Sequence, residues 1–189
     1  MRIRRLQELT IAWMIVEVLV SLSQSIRAQS VSLGAFGVDS IVELLSAAVV
    51  LFSLQLGPHT ERRAASLAAL LLYALAPCIV MTSLLGLFKQ SWRPEPTRLG
   101  VALLIAAGIV MPILGRAKRR LAQNIGNRAL RADAAQSNLC AWMAWIAAAG
   151  LFLNATFGLW WADPVAALLL LPIVITEANE ARKGEPCTC

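Results

Sequence analysis

The chain alternates between long apolar stretches and short polar connectors. The apolar stretches cover residues 9–26, 33–56, 64–88, 99–114, 132–159 and 164–176. Because a helix needs roughly 20 apolar residues to cross a bilayer, each stretch is predicted to be a membrane-spanning helix. Turn and helix-start dipeptides such as Gly57-Pro58 and Asp163-Pro164 separate them. The pattern predicts an all-α membrane protein with six transmembrane helices.

The composition excludes a soluble globular fold. Of the 189 residues, 58% are hydrophobic and 15% are charged, whereas about 25% of a soluble domain is charged. The first apolar stretch follows basic residues as in a signal peptide, but it contains Glu17 and lacks a small-residue cleavage site. We therefore predict a retained first helix in one membrane domain, residues 1–180. A short cytoplasmic tail, residues 181–189, would contain Cys187 and Cys189.

The net charge is +6, from 17 basic and 11 acidic residues. The basic residues lie in connectors beside the apolar stretches, so their distribution indicates membrane orientation rather than nucleic-acid binding. Lys and Arg are retained in cytoplasmic connectors. One side of the predicted bundle receives 13 of them, and the other side receives Arg27, Lys89, Arg93 and Arg98. Both termini are thus predicted to be cytoplasmic in a multi-pass protein of the cell membrane. The basic run 116–120 is expected to lie in a connector and to contact anionic membrane lipids.

Four acidic residues fall within or just inside the predicted helices: Glu17, Asp39, Glu43 and Asp133. Each costs roughly 2.5–3.5 kcal/mol near a helix centre, and such residues usually mark ion or proton pathways. Asp39 and Glu43 are four residues apart and share a helix face. In hydrocarbon they cannot both stay ionised without a cation or proton between them. Glu17 either carries protons or supports the ligands of the cation site. Alternatively, it forms hydrogen bonds with Ser or Gln side chains on neighbouring helices.

The fifth predicted helix begins with polar residues on one face. Asp133, Gln136 or Ser137, and Cys140 lie at helical spacing. A carboxylate, an amide and a thiol opposite Asp39 and Glu43 would form a mixed oxygen and sulfur cation site. Alternatively, Cys140 is a small apolar side chain that fills space between helices.

Two segments, AFGVDSIVE at 35–43 and ADAAQSNLC at 132–140, resemble the metal-site helices of cation diffusion facilitators. In that family, the second and fifth helices each present two ligands four residues apart. By position, the resemblance implies the ligands Asp39, Glu43, Gln136 and Cys140, with Asp133 one turn earlier. The start of the sixth helix, WADPVAA at 161–167, is also similar. The resemblance further implies a homodimer. Family members usually continue into a cytoplasmic domain, but only 13 residues follow residue 176, so we expect a short form without that domain.

The residues at the ligand positions suggest which ion is carried. Gln136 and Cys140 stand where the family usually has His and Asp, and a thiolate favours soft ions. The resemblance thus implies efflux of a divalent transition or heavy-metal cation, with zinc or cadmium first and mercury or lead next. Metal binding needs deprotonated ligands, so protons arriving from outside would displace the ion. We expect proton antiport.

Other functional classes stay open at this point. The chain could be a membrane thiol–disulfide oxidoreductase, although its only close cysteine pair is terminal, or a metal-binding membrane protein without transport. A hydrolase would need a nucleophile with a base, and no intramembrane His or Ser/Lys pair is apparent. Transport alone explains acidic residues on separate helices, so we expect the protein not to be an enzyme.

Overall fold

Helices make up nearly all of the part of the chain that the computed structural model describes, residues 2–56, 58–88, 95, 97–125 and 128–183. Within these ranges, the structure does not describe the side chains of residues 2–3, 49–50, 52–69, 71–72, 86, 125, 128–129, 132, 177, 180–181 and 183. The tail cysteines Cys187 and Cys189 also lie outside the described residues. The predicted division between a membrane domain and a tail therefore stays a prediction.

Six helices make up the described chain. They are α1 (Arg2–Ala28), α2 (Val31–Leu56), α3 (Pro58–Phe88), α4 (Arg98–Ile125), α5 (Arg128–Phe157) and α6 (Ala162–Lys183). Each predicted apolar stretch falls in a separate helix, which confirms the all-α prediction. The fifth apolar stretch reaches residue 159, whereas α5 ends at Phe157. Gly158 follows with a φ of 64°, a left-handed conformation that ends helices.

Several helices continue beyond their apolar stretches. The largest extension is in α4, which reaches Ile125 instead of ending near residue 114. The basic run 116–120 is thus helical and does not lie in a connector. No Pro or Gly falls within residues 116–125 to interrupt the helix.

Among the described residues, four helices contain a segment long and apolar enough to cross a membrane. These segments are Arg4–Ala28, Val31–Ala48, Arg98–Asn124 and Asp133–Phe157, and shorter apolar segments occur at Tyr73–Leu85 and Ala162–Thr176. The chain is therefore a multi-pass membrane protein. The count of six spans and the cytoplasmic placement of the termini stay predictions.

Neighbouring helices run antiparallel and pack closely. In the α1–α2 pair, Gly34 faces Ser25 and Gly37 faces Leu22, and in the α4–α5 pair, Gly108 faces Trp145 and Gly115 faces Asn138. Apolar side chains from α1, α2, α4, α5 and α6 fill the centre, including Met14, Phe36, Leu104, Met111, Met143, Leu151 and Leu170. Because lipid is as apolar as these side chains, close packing rather than water exclusion holds such helices together.

Asp163, at the start of α6, fixes the start of α2. Its Oδ1 accepts a hydrogen bond from Ser30 Oγ at 2.6 Å and another from Ser32 Oγ, while Oδ2 accepts one from Val31 N at 2.9 Å. Ser30 Oγ in turn accepts a hydrogen bond from Leu33 N at 3.1 Å, as an N-cap residue does. This contact places the starts of α2 and α6 at the same end of the bundle and so sets α2 antiparallel to α5.

Candidate functional site

Among the described residues, five acidic or basic side chains inside the bundle have no exposed surface, in addition to Asp163 at the start of α6. The five come from four helices: Glu17 on α1, Asp39 and Glu43 on α2, Lys118 on α4 and Asp133 on α5. Burying a charge is costly unless it is paired and hydrogen-bonded. The contacts among these groups therefore define the candidate site.

Lys118 joins the carboxylates of two helices. Its Nζ lies 3.0 Å from Asp133 Oδ2 and 3.6 Å from Glu43 Oε1, and all three side chains are fully buried. The ammonium group thus bridges α2 and α5 from its position on α4. A lysine in this place offsets the charge of acidic residues that the bilayer interior would otherwise not tolerate.

The sequence-based interpretation of Lys118 was wrong, because this residue was grouped with the exposed basic run. Arg116, Arg119 and Arg120 are exposed, whereas Lys118 is completely buried. A helix turns by 100° per residue, so Lys118 points away from Arg116. A signal was present in the sequence: Leu104, Ala107, Met111 and Leu114 precede Lys118 at helical spacing, and all are buried.

Hydrogen bonds connect Lys118 and Asp133 to further residues. Lys118 Nζ donates to Ser137 Oγ at 2.9 Å, and Ser137 Oγ donates to Glu43 Oε1. From α1, Gln7 Nε2 donates to Asp133 Oδ2 at 2.8 Å. Sequence reasoning named Ser137 only as an alternative to Gln136, and it missed Gln7.

This network contains the Ser/Lys pair that the sequence analysis did not find. Lys118 and Ser137 are 19 residues apart on different helices, so no local pattern joins them. The pair does not resemble a nucleophile and its base, because the ammonium donates to the serine while pairing with two carboxylates. The arrangement is that of a charge network.

Glu17 lies beside the α2 carboxylates. Its Oε1 accepts a hydrogen bond from Trp13 Nε1, and its Oε2 accepts one from Ser40 Oγ at 3.3 Å. Ser40 lies between Asp39 and Glu43 in the sequence. The structure thus gives Glu17 the serine partner on a neighbouring helix that one of the two sequence interpretations expected, and it leaves a role in proton movement open to proposal.

Antiparallel packing brings Asp39 and Cys140 to a similar depth. Ser137 contacts Glu43. Because α2 and α5 are antiparallel, Asp39 on α2 and Cys140 on α5 both lie about one turn from this contact, toward the same end of the bundle. Both are fully buried, whereas Gln136 is half-buried. In the described part of the chain, no group of three or more His, Cys, Asp or Glu side chains is arranged to hold a metal ion.

The interior has more acidic than basic groups. In the part of the chain that the structure describes, and apart from Asp163 at the start of α6, four buried acids, Glu17, Asp39, Glu43 and Asp133, face one buried base, Lys118. Among the described residues, Glu43 Oε2 and Asp133 Oδ1 are buried and accept no hydrogen bond. Carboxylates in this number need protons or further cations. The site is therefore suited to positively charged ligands.

A comparison with protein-family models identifies the family of the chain. The model of the cation efflux transmembrane domain matches residues 9–181 of the chain. The chain belongs to the cation efflux family. No curated protein gives a significant match. Family membership confirms the resemblance noted in the sequence and makes the chain a membrane cation transporter, a function that needs no enzymatic step.

Proposed function

We propose that this cation efflux protein exports a divalent transition or heavy-metal ion from the cytoplasm in exchange for protons. The observation that carries the proposal is the excess of buried acidic groups over Lys118 inside the bundle. Carboxylates bind either protons or metal ions, and competition between the two couples their movements. Zinc or cadmium is the proposed principal substrate, with mercury and lead as softer alternatives.

The proposed ligands are Asp39 and Glu43 from α2 with Cys140 from α5, and Asp133 and Gln136 complete the set. Support comes from the contact of Ser137 with Glu43, because it brings α2 and α5 together at the necessary depth. In this conformation Lys118 pairs with Glu43 and Asp133. A small shift of α5 along α2 would exchange that lysine for the transported ion, as expected where helices rock around a fixed site.

Transport by purified protein in liposomes tests this proposal. We expect uptake of zinc or cadmium into the liposomes to increase when their interior is made acidic, because outward-moving protons then exchange for the metal. Metal affinity should rise with pH, since the ligands bind the ion only after losing their protons. Uptake that does not depend on the pH gradient would contradict antiport. Failure to bind zinc, cadmium, mercury or lead would contradict the transport proposal itself.

Cys140 distinguishes a metal ligand from a space-filling residue. If Cys140 is a ligand, Cys140→Ala should abolish transport, and Cys140→Asp should retain binding while shifting preference from cadmium toward zinc or harder ions. Cys78→Ala is the matched control, because Cys78 is an exposed free thiol on α3. Unchanged transport and ion preference in Cys140→Ala would leave only oxygen ligands on α5.

A further inference from the structure

A groove between α4 and α5, separate from the buried charge network, has the features of a lipid site. Its volume is about 570 Å³, and its α4 side is formed by Gly108, Pro112, Arg116 and Arg119. These four residues recur at intervals of four, four and three and so lie on one helix face. The groove therefore follows the helix axis.

The groove has one apolar end and one basic end. At the apolar end, a Cβ on Gly108 would lie only 2.7 Å from Trp145 Cε2, so the indole lies directly across α4 at this position. Trp142 is on the same side of the groove and is 66% exposed. At the other end, Arg116 and Arg119 are exposed, and neither takes part in an ion pair with any described residue.

The dimensions match one leaflet of a bilayer. Eleven residues separate Gly108 from Arg119, which corresponds to about 16 Å of helix. Half of a hydrocarbon core of about 30 Å is about 15 Å. With Arg119 at the headgroup level, the Trp145 end of the groove therefore reaches the middle of the membrane.

We propose that this groove binds an anionic phospholipid. The headgroup phosphate pairs with Arg116 and Arg119, because guanidinium groups recognise phosphate with two parallel hydrogen bonds. One acyl chain lies along Pro112 and Leu139 and ends against the Trp142 and Trp145 rings. The site depends on the membrane location of the chain and is independent of the metal that it carries.

The combination of a basic end and an apolar length favours a phospholipid. A free phosphate ion would use the arginines and leave the apolar length uncovered. A phospholipid covers both ends of the groove.

Native mass spectrometry of the full chain in detergent tests the proposal. Phosphatidylglycerol and phosphatidylcholine with identical acyl chains are added separately, and inorganic phosphate is the third probe. We expect phosphatidylglycerol to bind about thirtyfold more tightly than phosphatidylcholine, since each of the two arginines adds a step of about fivefold. Equal affinity for the two lipids, or inorganic phosphate that displaces the lipid, would overturn the proposal.

Matched variants locate the site. Arg116→Gln with Arg119→Gln should remove the preference for phosphatidylglycerol, whereas Arg5→Gln with Arg182→Gln removes the same charge from exposed positions on α1 and α6 and should preserve it. Trp142→Ala should weaken binding of both lipids, and Phe152→Ala, which removes a ring that is 56% exposed, should not. Equal losses in the two arginine pairs, or a dimer that forms without lipid and dissociates in Trp142→Ala, would contradict a lipid site.

Discussion

At the scale of single residues, Lys118 decides the charge balance of the interior. Its ammonium group lies 3.0 Å from Asp133 and 3.6 Å from Glu43 without exposure of any of the three side chains. Such a group is a weak source of net stability, because desolvation cancels much of the attraction. Removing one partner is nevertheless costly, since the others keep their desolvation cost without compensation. The main contribution of Lys118 is therefore to neutralise buried carboxylates that would be left unpaired without it.

We expect Lys118→Met to lower the free energy of unfolding by about 3–5 kcal/mol. Methionine fills a similar volume but leaves Glu43 and Asp133 without their shared cation. Thermal unfolding of the detergent-purified protein, followed by tryptophan fluorescence, measures the loss. Arg120→Gln is the control, because Arg120 is exposed on the same helix.

A double variant separates charge from packing. Lys118→Met combined with Asp133→Asn removes one charge of each sign and should recover a large part of the lost stability. A double variant as unstable as the sum of the single changes would indicate that Lys118 acts through packing alone.

At the scale of helices, the absence of side chains at particular glycines allows close contact. A Cβ on Gly150 would lie 2.6 Å from Ala166 Cβ and 3.2 Å from Ala162 O, whereas a Cβ on Gly34 would find its nearest neighbours at 3.6 Å. The α5–α6 contact therefore requires glycine at position 150. The α1–α2 contact at position 34 has room for a methyl group.

Alanine should have opposite effects at these two positions. We expect Gly150→Ala to destabilise the protein by about 1–3 kcal/mol, because the added methyl group meets atoms that cannot move away. Gly34→Ala should be neutral or stabilising by up to about 1 kcal/mol, since alanine favours helix. Unfolding temperatures in detergent provide the comparison. Equal effects would mean that α6 can shift to accommodate the extra methyl group.

The Asp163 contact is the second determinant at this scale, since it attaches the start of α6 to that of α2. Asp163→Ala would leave Val31 N and two serine hydroxyls without their acceptor, and each buried orphan donor costs about 1–3 kcal/mol. We expect lower stability together with reduced transport, because α2 carries Asp39 and Glu43. Asp163→Asn retains one acceptor oxygen, so its stability should lie between those of the wild type and Asp163→Ala. A stable but inactive Asp163→Ala would instead place Asp163 in the transport path.

At the scale of the whole molecule, basic residues collect at one end of the bundle. Arg5, Arg116, Arg120 and Arg131 are among the exposed basic residues near the starts of α1 and α5 and the end of α4. Among the described basic residues, the opposite end exposes only Arg27 and Arg98, together with Glu95, whose N–H donates to Ala28 O at 2.9 Å. This asymmetry is what the cytoplasmic retention of Lys and Arg produces. The basic end is therefore expected to face the cytoplasm.

Cysteine labelling in cells tests that orientation. In a protein whose native cysteines are replaced by serine, Glu95→Cys should react with a membrane-impermeant maleimide added outside intact cells. Arg120→Cys should react only after the membrane is opened. The reverse pattern would place the basic end outside and would reverse the proposed direction of transport.

The sequence by itself determined the helices and most of the buried acids. Apolar stretches long enough to cross a bilayer predicted all six helices, because hydropathy and helical hydrogen bonding are local properties of the chain. The cost of a charge in hydrocarbon likewise identified Glu17, Asp39, Glu43 and Asp133 before any contact was known. Two short motifs were enough to suggest the family.

Only the tertiary structure decided how these groups are paired. It assigned Lys118 to Asp133 and Glu43, placed Ser137 rather than Gln136 against Glu43, and attached Asp163 to the start of α2. Each pairing joins residues on different helices and depends on how each helix is rotated about its axis and placed in depth. Those two quantities are set by side-chain packing between helices, and a pattern read along one helix does not contain them.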